Sequence, residues 1–473
     1  MLLKYFYDPD LAHASYLIGC QKSGEALVVD PGRNVEPYIR AAKKEGLRIV
    51  AAAETHIHAD FVSGARELAE KHGAKLYLSD TGPAEWKYLF AKDYEHLGLR
   101  DGDQFSLGKI EFSVRHTPGH TPESISLVVT DRGGGANEPI GVFTGDFVFV
   151  GSVGRPDLLE TAVGVEGSAD AGARDMFRSL RWFLELPDHI QVWPAHGAGS
   201  ACGKGLGSIP SSTVGYERRF NPALQIRDEN DFVEYLLADQ PETPRYFALM
   251  KRLNREGPNL LDASAMPPRL DANEVTTAAN SGVVIDTSSP AQFARGFVAN
   301  TINMSRRHLA QWAGSILDPE QSISLLTTED ALPAIVHLLQ KIGFEKFAGY
   351  FDSQQVSELG RKTETMERFT PAQVAETQAD IQLIDVRGNT ERCQASIPQA
   401  ESIFLGDLPE RLDSIPSDKP IVFHCKGGGR SVVAASLALR NGMQPVADML
   451  GGIDRWIEEG RAVDQAETKG CQA

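Results

Sequence analysis

Residues 55–61 read THIHADF and directly follow the apolar run LRIVAAAE at 47–54. An apolar run of this length that ends in polar residues predicts a buried strand leading into a loop. His56, His58 and Asp60 place two imidazoles and a carboxylate at alternate positions of that loop. These groups are the ligands that zinc and other transition metals prefer in proteins. The stretch therefore predicts a metal site at one end of a β-sheet.

Three more strand-like runs end in residues of the same kinds. His120 lies in TPGHTPE, Asp146 in FTGDF and His196 in WPAHGAG. A single histidine is usually structural, but six candidate ligands at strand ends favour a metal centre on loops above a rigid scaffold.

These motifs resemble those of the metallo-β-lactamase superfamily, whose fold is a four-layer αββα sandwich with its metals at one edge of the two sheets. The resemblance covers about the first half of the chain. Dinuclear members carry HxHxDH, whereas this chain has HIHADF, with Phe61 at the place of a second-metal histidine. Because phenylalanine has no lone pair to donate, we expect one of the two metal sites to be lost.

Within this superfamily the motifs look like those of the persulfide dioxygenases. That resemblance implies one Fe(II) per chain, held by two histidines and one carboxylate with three open positions, as in non-haem iron oxygenases. The implied iron ligands are His56, His120 and Asp146, and the implied groups that orient ligands or water are His58, Asp60 and His196. Two alternatives stay open: a mononuclear zinc site on His56, His58 and His120, and a two-metal thioester hydrolase of the glyoxalase II type.

The overall composition sets limits on partners and compartment. At 473 residues the chain exceeds the roughly 250 to 300 residues of a single hydrophobic core. The net charge of -17 opposes binding to nucleic acid or anionic lipid. No apolar run reaches the roughly 18 residues of a membrane span, and the first residues have no basic leader pattern. Five cysteines form no CxxC pair, which is typical of reduced thiols, so we expect a cytoplasmic protein.

Periodicity and composition predict three domains. Short β-rich runs alternate with amphipathic stretches over the first half, and FVSGARELAEKHG predicts a helix that stops at Gly73. A stretch rich in proline, glycine and asparagine at 256–274 predicts a linker, with a boundary near residue 265. Two similar α/β segments follow, each with a strand that leads through a loop into a helix. The predicted domains are 1–262, 276–365 and 366–473.

The second candidate site is FHCKGGGRS, which follows the apolar strand PIVF and runs into a helix. Glycines allow backbone N–H groups to turn toward Cys425, and a helix N-terminus supplies positive potential. The basic side chains of Lys426 and Arg430 add to it, and together these features favour a thiolate. A cysteine that only fills a core would not be followed by KGGGR.

This region resembles a rhodanese domain, with Asp385 and Arg387 in LIDVR as the accompanying signature. The resemblance implies that Cys425 carries a persulfide in a loop cradle, with Arg430 at the end of the loop. The remaining cradle residues are Lys426, Gly427, Gly428 and Gly429. The loop from Cys425 to Arg430 holds six residues, as in rhodaneses, whereas the related phosphatases have one more. ERCQASIPQA departs from the family pattern and leaves Cys393 unexplained.

The preceding segment, 276–365, has neither nucleophile nor cradle. Thr327 aligns with Cys425, TTEDAL replaces the glycine loop, and Ser288 aligns with Arg387. We interpret this segment as an inactive rhodanese-like domain with a structural or docking role.

The two motif sets predict coupled sulfur chemistry. A dioxygenase acting with O2 on a low-molecular-weight thiol persulfide, such as glutathione persulfide, releases sulfite. A rhodanese exchanges sulfane sulfur between persulfide, sulfite and thiosulfate. The fusion therefore predicts a sulfide-detoxifying enzyme, expected to be a homo-oligomer. The alternatives are a dinuclear hydrolase with a rhodanese attached, and a catalytic domain regulated by persulfide-sensing modules.

Four residues are weaker candidates for binding the thiol substrate. Arg155 in GRPDL, with Tyr216 and Arg219 in VGYERRFNPAL, offers charge-assisted hydrogen bonds to the carboxylates of a thiol tripeptide. Cys202 follows His196 closely enough to lie near the metal. The opposing interpretation is a set of solvated surface arginines and a passive thiol.

Overall fold

The structure is a computed structural model that describes residues 1–158, 160, 167–261, 266–416 and 418–465. The chain divides into two compact units, Met1–Asp262 and Ala263–Ala473. The predicted boundary near residue 265 lies outside the described residues. Among the described helices, none has both the length and the apolar character needed to cross a membrane.

Two mixed sheets form the centre of the first unit. The first sheet runs in chain order: β1 Leu2–Asp8, β2 His13–Cys20, β3 Glu25–Val29, β4 Arg48–Ala53, β5 Lys75–Ser79 and β6 His96–Leu99. The second sheet contains β7 Gln104–Leu107, β8 Ile110–His116, β9 Ile125–Asp131, β10 Gly141–Gly145, β13 Gln191–Pro194 and β14 Ser212–Thr213, in the order β14-β13-β10-β9-β8-β7. A small hairpin joins β11 Val148–Phe149 to β12 Ser152–Val153.

The hydrophobic clusters show why these sheets stack between helices. Inner-face side chains such as Ile18 and Phe112 share one buried cluster between the sheets. On the outer face of the first sheet, Leu17 and Val28 share a cluster with Leu68 of the helix Ala65–His72. The second sheet is covered by the helix Ser168–Glu185 in the same way. The unit is therefore a helix–sheet–sheet–helix sandwich, as the sequence predicts.

The other described helices of this unit border the two sheets or connect them. The α-helices are Glu36–Lys44, Val214–Phe220, Pro222–Gln225, Glu229–Leu237 and Phe247–Glu256, and the 3-10 helices are Ala84–Trp86, Leu89–Asp93 and Arg132–Gly134. Gly73, with a φ of 63°, caps the helix Ala65–His72 at its C-terminus, which confirms the predicted stop.

The second unit contains two parallel sheets of matching topology. The first joins β15 Val283–Asp286, β16 Ile302–Asn303, β17 Ile323–Thr327 and β18 Phe347–Asp352 in the order β16-β15-β17-β18. The second joins β19 Glu367–Phe369, β20 Gln382–Asp385, β21 Glu401–Ser402, β22 Ile421–His424 and β23 Val446–Met449 in the order β19-β23-β22-β20-β21. Without β19, the second order repeats the first, as expected for an internal duplication.

Short helices cover both of these sheets. Those of the first segment are Val275–Ser281, Pro290–Arg295, Arg306–Ile316, Leu332–Lys341 and Ser353–Glu358, with a 3-10 turn at Ala272–Glu274. Those of the second are Pro371–Thr377, Asn389–Gln394, Leu408–Arg411, Arg430–Arg440 and Gly452–Glu458, with a 3-10 turn at Leu412–Ser414.

Candidate metal centre and cysteine loop

Three predicted ligands meet at one edge of the two sheets of the first unit. His56 follows β4, His120 follows β8 and Asp146 follows β10, and each is at most 2% exposed. Their ligand atoms all lie within 4.8 Å of one another. Asp146 Oδ2 lies 3.3 Å from His120 Nε2 and 3.8 Å from His56 Nε2. The arrangement is a buried set of two imidazoles and one carboxylate.

Hydrogen bonds hold both imidazole rings with Nε2 toward the carboxylate. His56 Nδ1 lies 3.0 Å from Thr55 Oγ1, whose hydroxyl donates to Asp30 Oδ2 at 2.9 Å. His120 Nδ1 lies 2.8 Å from the carbonyl oxygen of Arg155. Bonds of this kind fix the tautomer of metal-binding histidines and leave Nε2 free to bind.

The atoms that face the centre are unsatisfied. Among the described residues, His56 Nε2 and both carboxylate oxygens of Asp146 are buried without a hydrogen-bond partner. Burial raises the pKa of Asp146 to about 6 and lowers the pKa of His120 to about 4. Buried polar atoms are normally paired, so this donor set fits a cation that would satisfy all three groups.

His58 does not belong to this set. Its Nε2 lies 3.0 Å from Glu54 Oε2 and 3.2 Å from Asp30 Oδ1, and these three residues form a separate buried cluster. Burial lowers the pKa of His58, but the two carboxylates outweigh burial and raise it well above its usual value. The ring of Phe61 lies 4.4 Å from the His58 ring. His58 is therefore engaged by two acids.

Asp60 and His196 lie next to Asp146. His196 Nε2 is 3.2 Å from Asp60 Oδ2 and 3.5 Å from Asp146 Oδ1. Together with Cys202, Asp60 and His196 form a third buried group whose ligand atoms lie within 4.8 Å of one another. His196 Nδ1 contacts the carbonyl oxygen of Ala12 at 3.1 Å, which orients Nε2 toward the acids.

The cysteine loop lies in the second unit, between β22 and the helix Arg430–Arg440. Cys425 is 1% exposed, and its Sγ accepts a hydrogen bond from Gly428 N at 3.2 Å. Gly428 has a φ of +87°, which favours glycine, and this conformation brings its N–H onto the sulfur. The Cys425 thiol in turn donates to Ser431 Oγ at 3.7 Å. The Gly428 N–H is thus a donor that would stabilise a sulfur anion.

Three arginines near this loop are paired with carboxylates, and one of them, Arg368, binds Asp448 at 2.7 Å. Arg430 contacts Glu391 through two hydrogen bonds of 2.5 and 2.7 Å. Arg387 binds Asp385 through Nε at 3.0 Å and Nη2 at 2.7 Å, and both residues are buried. The Arg387–Asp385 pair lies at the end of β20, whereas Lys426 is exposed.

Comparisons with known proteins agree with this geometry. A family model described as the metallo-β-lactamase superfamily matches residues 8–196. A solved metallo-β-lactamase structure from Staphylococcus aureus subsp. aureus COL is 42% identical, with a TM-score of 0.68, and the match covers 74% of this chain and 98% of that one. The chain belongs to the metallo-β-lactamase superfamily. A second model, described as a rhodanese-like domain, matches residues 370–459.

Relatives of this superfamily member include named enzymes. Persulfide dioxygenase ETHE1 of Homo sapiens, a mitochondrial protein, is 28% identical over 239 residues, covering 50% of this chain and 80% of that protein. The corresponding protein of Bos taurus is 26% identical over 240 residues, with the same coverage. An uncharacterized protein of Mycobacterium tuberculosis is 30% identical over 248 residues, covering 48% of this chain and 98% of that protein.

The candidate thiol-binding residues of this metallo-β-lactamase superfamily chain lie in different surroundings. Arg155 is 1% exposed, and its guanidinium binds Asp157 at 2.6 Å and the carbonyl oxygen of Pro241 at 2.6 Å. Tyr216 and Arg219 lie on the surface helix Val214–Phe220, where Tyr216 is 46% exposed and its ring packs at a tilt of 47° against Phe220. The structure thus brings Cys202 to the metal centre and engages Arg155 in internal contacts.

The cysteines differ in state. Cys20, Cys202 and Cys425 are free thiols, whereas Cys393 is disulfide-bonded, so the expectation of reduced thiols fails at that position. Cys471 lies outside the described residues. Burial raises the pKa of Cys202 well above its usual value, and nearby Asp60 and Asp146 add to the effect. Its thiol is therefore held in the protonated form.

Sequence reasoning missed several residues of both sites. Asp30 and Glu54 each end a strand-like run, ALVVD and LRIVAAAE, so their positions resembled those of the predicted ligands. Thr55 precedes His56, and its role depends on the position of Asp30. Glu391 shows no local signal, because its contact with Arg430 spans 39 residues.

Proposed function

We propose that this chain is a non-haem Fe(II) persulfide dioxygenase coupled to a rhodanese sulfurtransferase. The iron site would oxidise a low-molecular-weight thiol persulfide, such as glutathione persulfide, with O2 to sulfite and thiol. The site at Cys425 would interconvert persulfide plus sulfite and thiosulfate plus thiol, and the pair would detoxify sulfide. One observation carries the proposal: His56, His120 and Asp146 converge, while His58 is held apart by Glu54 and Asp30.

The donor set favours a single metal with open positions. Two histidines and a carboxylate leave three positions for substrate and O2, the arrangement used by non-haem iron oxygenases. A zinc site would need His58 as its third histidine, but that side chain faces two carboxylates. When bound, Fe(II) would supply the activation of O2. The similarity to the persulfide dioxygenases of Homo sapiens and Bos taurus supports this metal and this substrate class.

The surrounding residues would orient the ligands. The Thr55 hydroxyl and the Arg155 carbonyl group accept from the two Nδ1–H groups and direct both Nε2 lone pairs to the metal. Asp60 and His196, next to the Asp146 carboxylate, would hold water or the substrate thiol by hydrogen bonds. Burial of the whole set excludes bulk water from the reacting sulfur.

At the second site, the Cys425 thiolate would attack the outer sulfur of thiosulfate. The Cys425 S–S bond forms while the S–S bond of thiosulfate breaks, and sulfite leaves with the electron pair. A thiolate acceptor then takes the outer sulfur, and Cys425 leaves again as the thiolate. The Gly428 N–H would stabilise both the thiolate and the persulfide anion. Because each step is an exchange, both directions are permitted.

The segment 276–365 fits an inactive rhodanese-like domain under this proposal. Its β17 ends at Thr327, the position equivalent to the nucleophile, and the helix Leu332–Lys341 begins after a loop that contains no glycine.

The test is metal analysis of anaerobically purified protein combined with O2 uptake on glutathione persulfide, with sulfite and thiosulfate quantified for the intact chain and for Cys425→Ser. The proposal expects iron at about one per chain. It also expects persulfide-dependent O2 uptake in both proteins, and a changed sulfite to thiosulfate ratio only in the variant. Zinc, no O2 uptake and hydrolysis of thioesters would instead establish the glyoxalase-like hydrolase.

A further inference from the structure

Gly429, the last glycine of the Cys425 loop, is in close contact with a residue of the preceding rhodanese-like segment. A Cβ at Gly429 would lie 2.5 Å from both Cε1 and Nε2 of His308. His308 belongs to the helix Arg306–Ile316, which lies in the segment that has no nucleophile. The imidazole of one repeat is therefore placed directly on the cysteine loop of the other.

This contact explains why glycine stands at 429. Its φ of -97° is an ordinary value that any residue adopts, unlike the φ of +87° at Gly428. At Gly427, a Cβ would have no atom within 4 Å. Gly428 is thus required by its backbone conformation, whereas Gly429 is required by the approach of His308.

The two segments are fixed together around this contact. Arg440 donates to the carbonyl oxygens of Ala279 at 3.0 Å and Asn300 at 2.5 Å. The backbone N–H of Asn303 donates to Ser436 Oγ at 3.0 Å. Ser436 and Arg440 lie on the helix that begins at the cysteine loop. These hydrogen bonds therefore fix the position of the segment that carries His308 relative to the loop.

His308 is also oriented within its own segment. Its Nδ1 lies 2.8 Å from Ser305 Oγ, which leaves Nε2 on the side of Gly429. Burial lowers the pKa of His308 to about 4, and the charges of Arg307 and Arg430 add to this effect. The ring is therefore neutral at physiological pH. When the Ser305 hydroxyl donates to Nδ1, the proton of the ring is on Nε2.

Within the described residues, we find no buried cation free to bind an oxyanion at the Cys425 loop. Arg368, whose guanidinium lies near Gly428, is bound to Asp448 at 2.7 and 2.8 Å. Arg430, at its end, is bound through two hydrogen bonds to Glu391, and the side chain of Lys426 is exposed. A thiosulfate that places its outer sulfur on Cys425 must direct its three oxygens away from Sγ, toward the mouth of the loop. A neutral N–H donor at that mouth would bind those oxygens without a competing acid.

We propose that His308 completes the Cys425 site and donates a hydrogen bond from Nε2 to the oxyanion oxygens of thiosulfate and sulfite. The proposal rests on the sulfurtransferase function assigned above and adds an oxyanion-recognition role for the segment without a nucleophile. His308 contacts the substrate oxygens and takes no part in breaking the S–S bond, so it acts chiefly on binding.

The test compares His308→Ala and His308→Gln with His337→Ala, a control histidine on the helix Leu332–Lys341 of the same segment. Thiosulfate-dependent sulfur transfer to a thiol is measured in the full chain. For His308→Ala, we expect the KM for thiosulfate to rise about tenfold with little change in kcat, as for loss of one hydrogen bond to a charged group. Glutamine, which keeps an N–H donor, should restore part of the binding. An unchanged KM in His308→Ala would overturn the proposal.

A binding measurement separates this proposal from the assigned function. Calorimetry measures the affinity for thiosulfate of Cys425→Ser with His308 intact and with His308→Ala. About tenfold weaker binding in the double variant supports the role of His308 even if the wild-type chain shows no turnover. Equal affinities overturn it even if Cys425-dependent turnover is present.

Discussion

The ring of Phe61 lies 4.4 Å from the ring of His58, whose Nε2 is directed to Glu54 and Asp30. Phe61 stands where dinuclear members of this superfamily carry a second-metal histidine, and His58 is the second histidine of the same motif. One has no lone pair, and the other is engaged by acids. The remaining donors near Asp146 are Asp60, His196 and Cys202, which form a separate group. Under the proposed function, the centre would therefore lack the imidazole that dinuclear members carry at the position of Phe61.

Replacing Phe61 with histidine should restore that imidazole. We expect Phe61→His to raise the metal content from about one toward two per chain, because it would add an imidazole at the sixth position of HIHADF, where dinuclear members of the superfamily carry a histidine. Metal analysis of protein purified in parallel measures this. Phe61→Leu keeps an apolar side chain without a lone pair, so its metal content should stay at about one per chain. Equal metal content in both variants would contradict the interpretation of Phe61.

Thr55 orients His56 through its hydroxyl group. In Thr55→Val the hydrogen bonds to His56 Nδ1 and to Asp30 Oδ2 are both lost, while the side-chain shape is kept. We expect metal affinity to fall by roughly 10 to 100-fold, as is typical when a partner of a metal-binding histidine is removed. Competition with a chelator measures the affinity. Thr130→Val, in β9, is the control for a buried threonine, and the same loss there would show that the effect is not specific to His56.

The glycines of the Cys425 loop should differ in their tolerance to alanine. Gly428→Ala places a side chain at a φ of +87° and 3.2 Å from Gly451 N, which displaces the N–H that donates to Cys425. We expect a loss of sulfur transfer of about 100-fold or more, as for removal of an oxyanion-hole donor. Gly427→Ala adds a methyl group to open space, so we expect a much smaller loss of sulfur transfer in that variant. Rates of thiosulfate turnover decide this, and equal losses would argue against the role of the Gly428 N–H.

Asp385 should make the stability of the second unit depend on pH in acid. Burial raises the pKa of Asp385, but hydrogen bonds from Arg387 and the charge of His424 lower it by more, so the folded value lies below the unfolded value of about 3.9. The stability from this carboxylate is therefore complete above about pH 4 and is lost as pH falls through the lower folded pKa.

Asp385→Asn tests this dependence. Loss of one partner of the buried pair with Arg387 should lower the free energy of unfolding near neutral pH by about 3 to 5 kcal/mol. Urea unfolding measured at several pH values should show a flatter acid dependence in the variant. A variant that keeps the full acid dependence would assign it to other carboxylates.

Much of the fold was predictable, because strands such as β4 and β10 are apolar runs that end in reactive residues. The N-terminal hairpin was not predicted as strands. All eight residues of β2 are buried, because one face packs on a helical layer and the other on the second sheet, so His13 and Ser15 interrupt any apolar alternation. In β1, the alternation of apolar and polar residues is also weak.

The candidate sites were predictable where a ligand or nucleophile follows a strand, as His56 and Cys425 do. The direction in which each side chain points was not predictable from the sequence. The ring of His58 could be assigned away from the metal only when Asp30 and Glu54 had been placed around it. The contact of His308 with Gly429 joins residues more than a hundred positions apart. It depends on how the two repeats pack against each other, and no local sequence pattern indicates that packing.

The position of His308 also affects how the rhodanese chemistry should be studied. A fragment that begins at residue 366 would contain the whole FHCKGGGRS motif and the three arginine–carboxylate pairs near it. It would nevertheless lack His308, which contacts Gly429 of the loop, and Arg440 would lose the carbonyl groups to which it donates. Kinetic constants from such a fragment would describe a more open site with different preferences for sulfur acceptors from those of the intact chain.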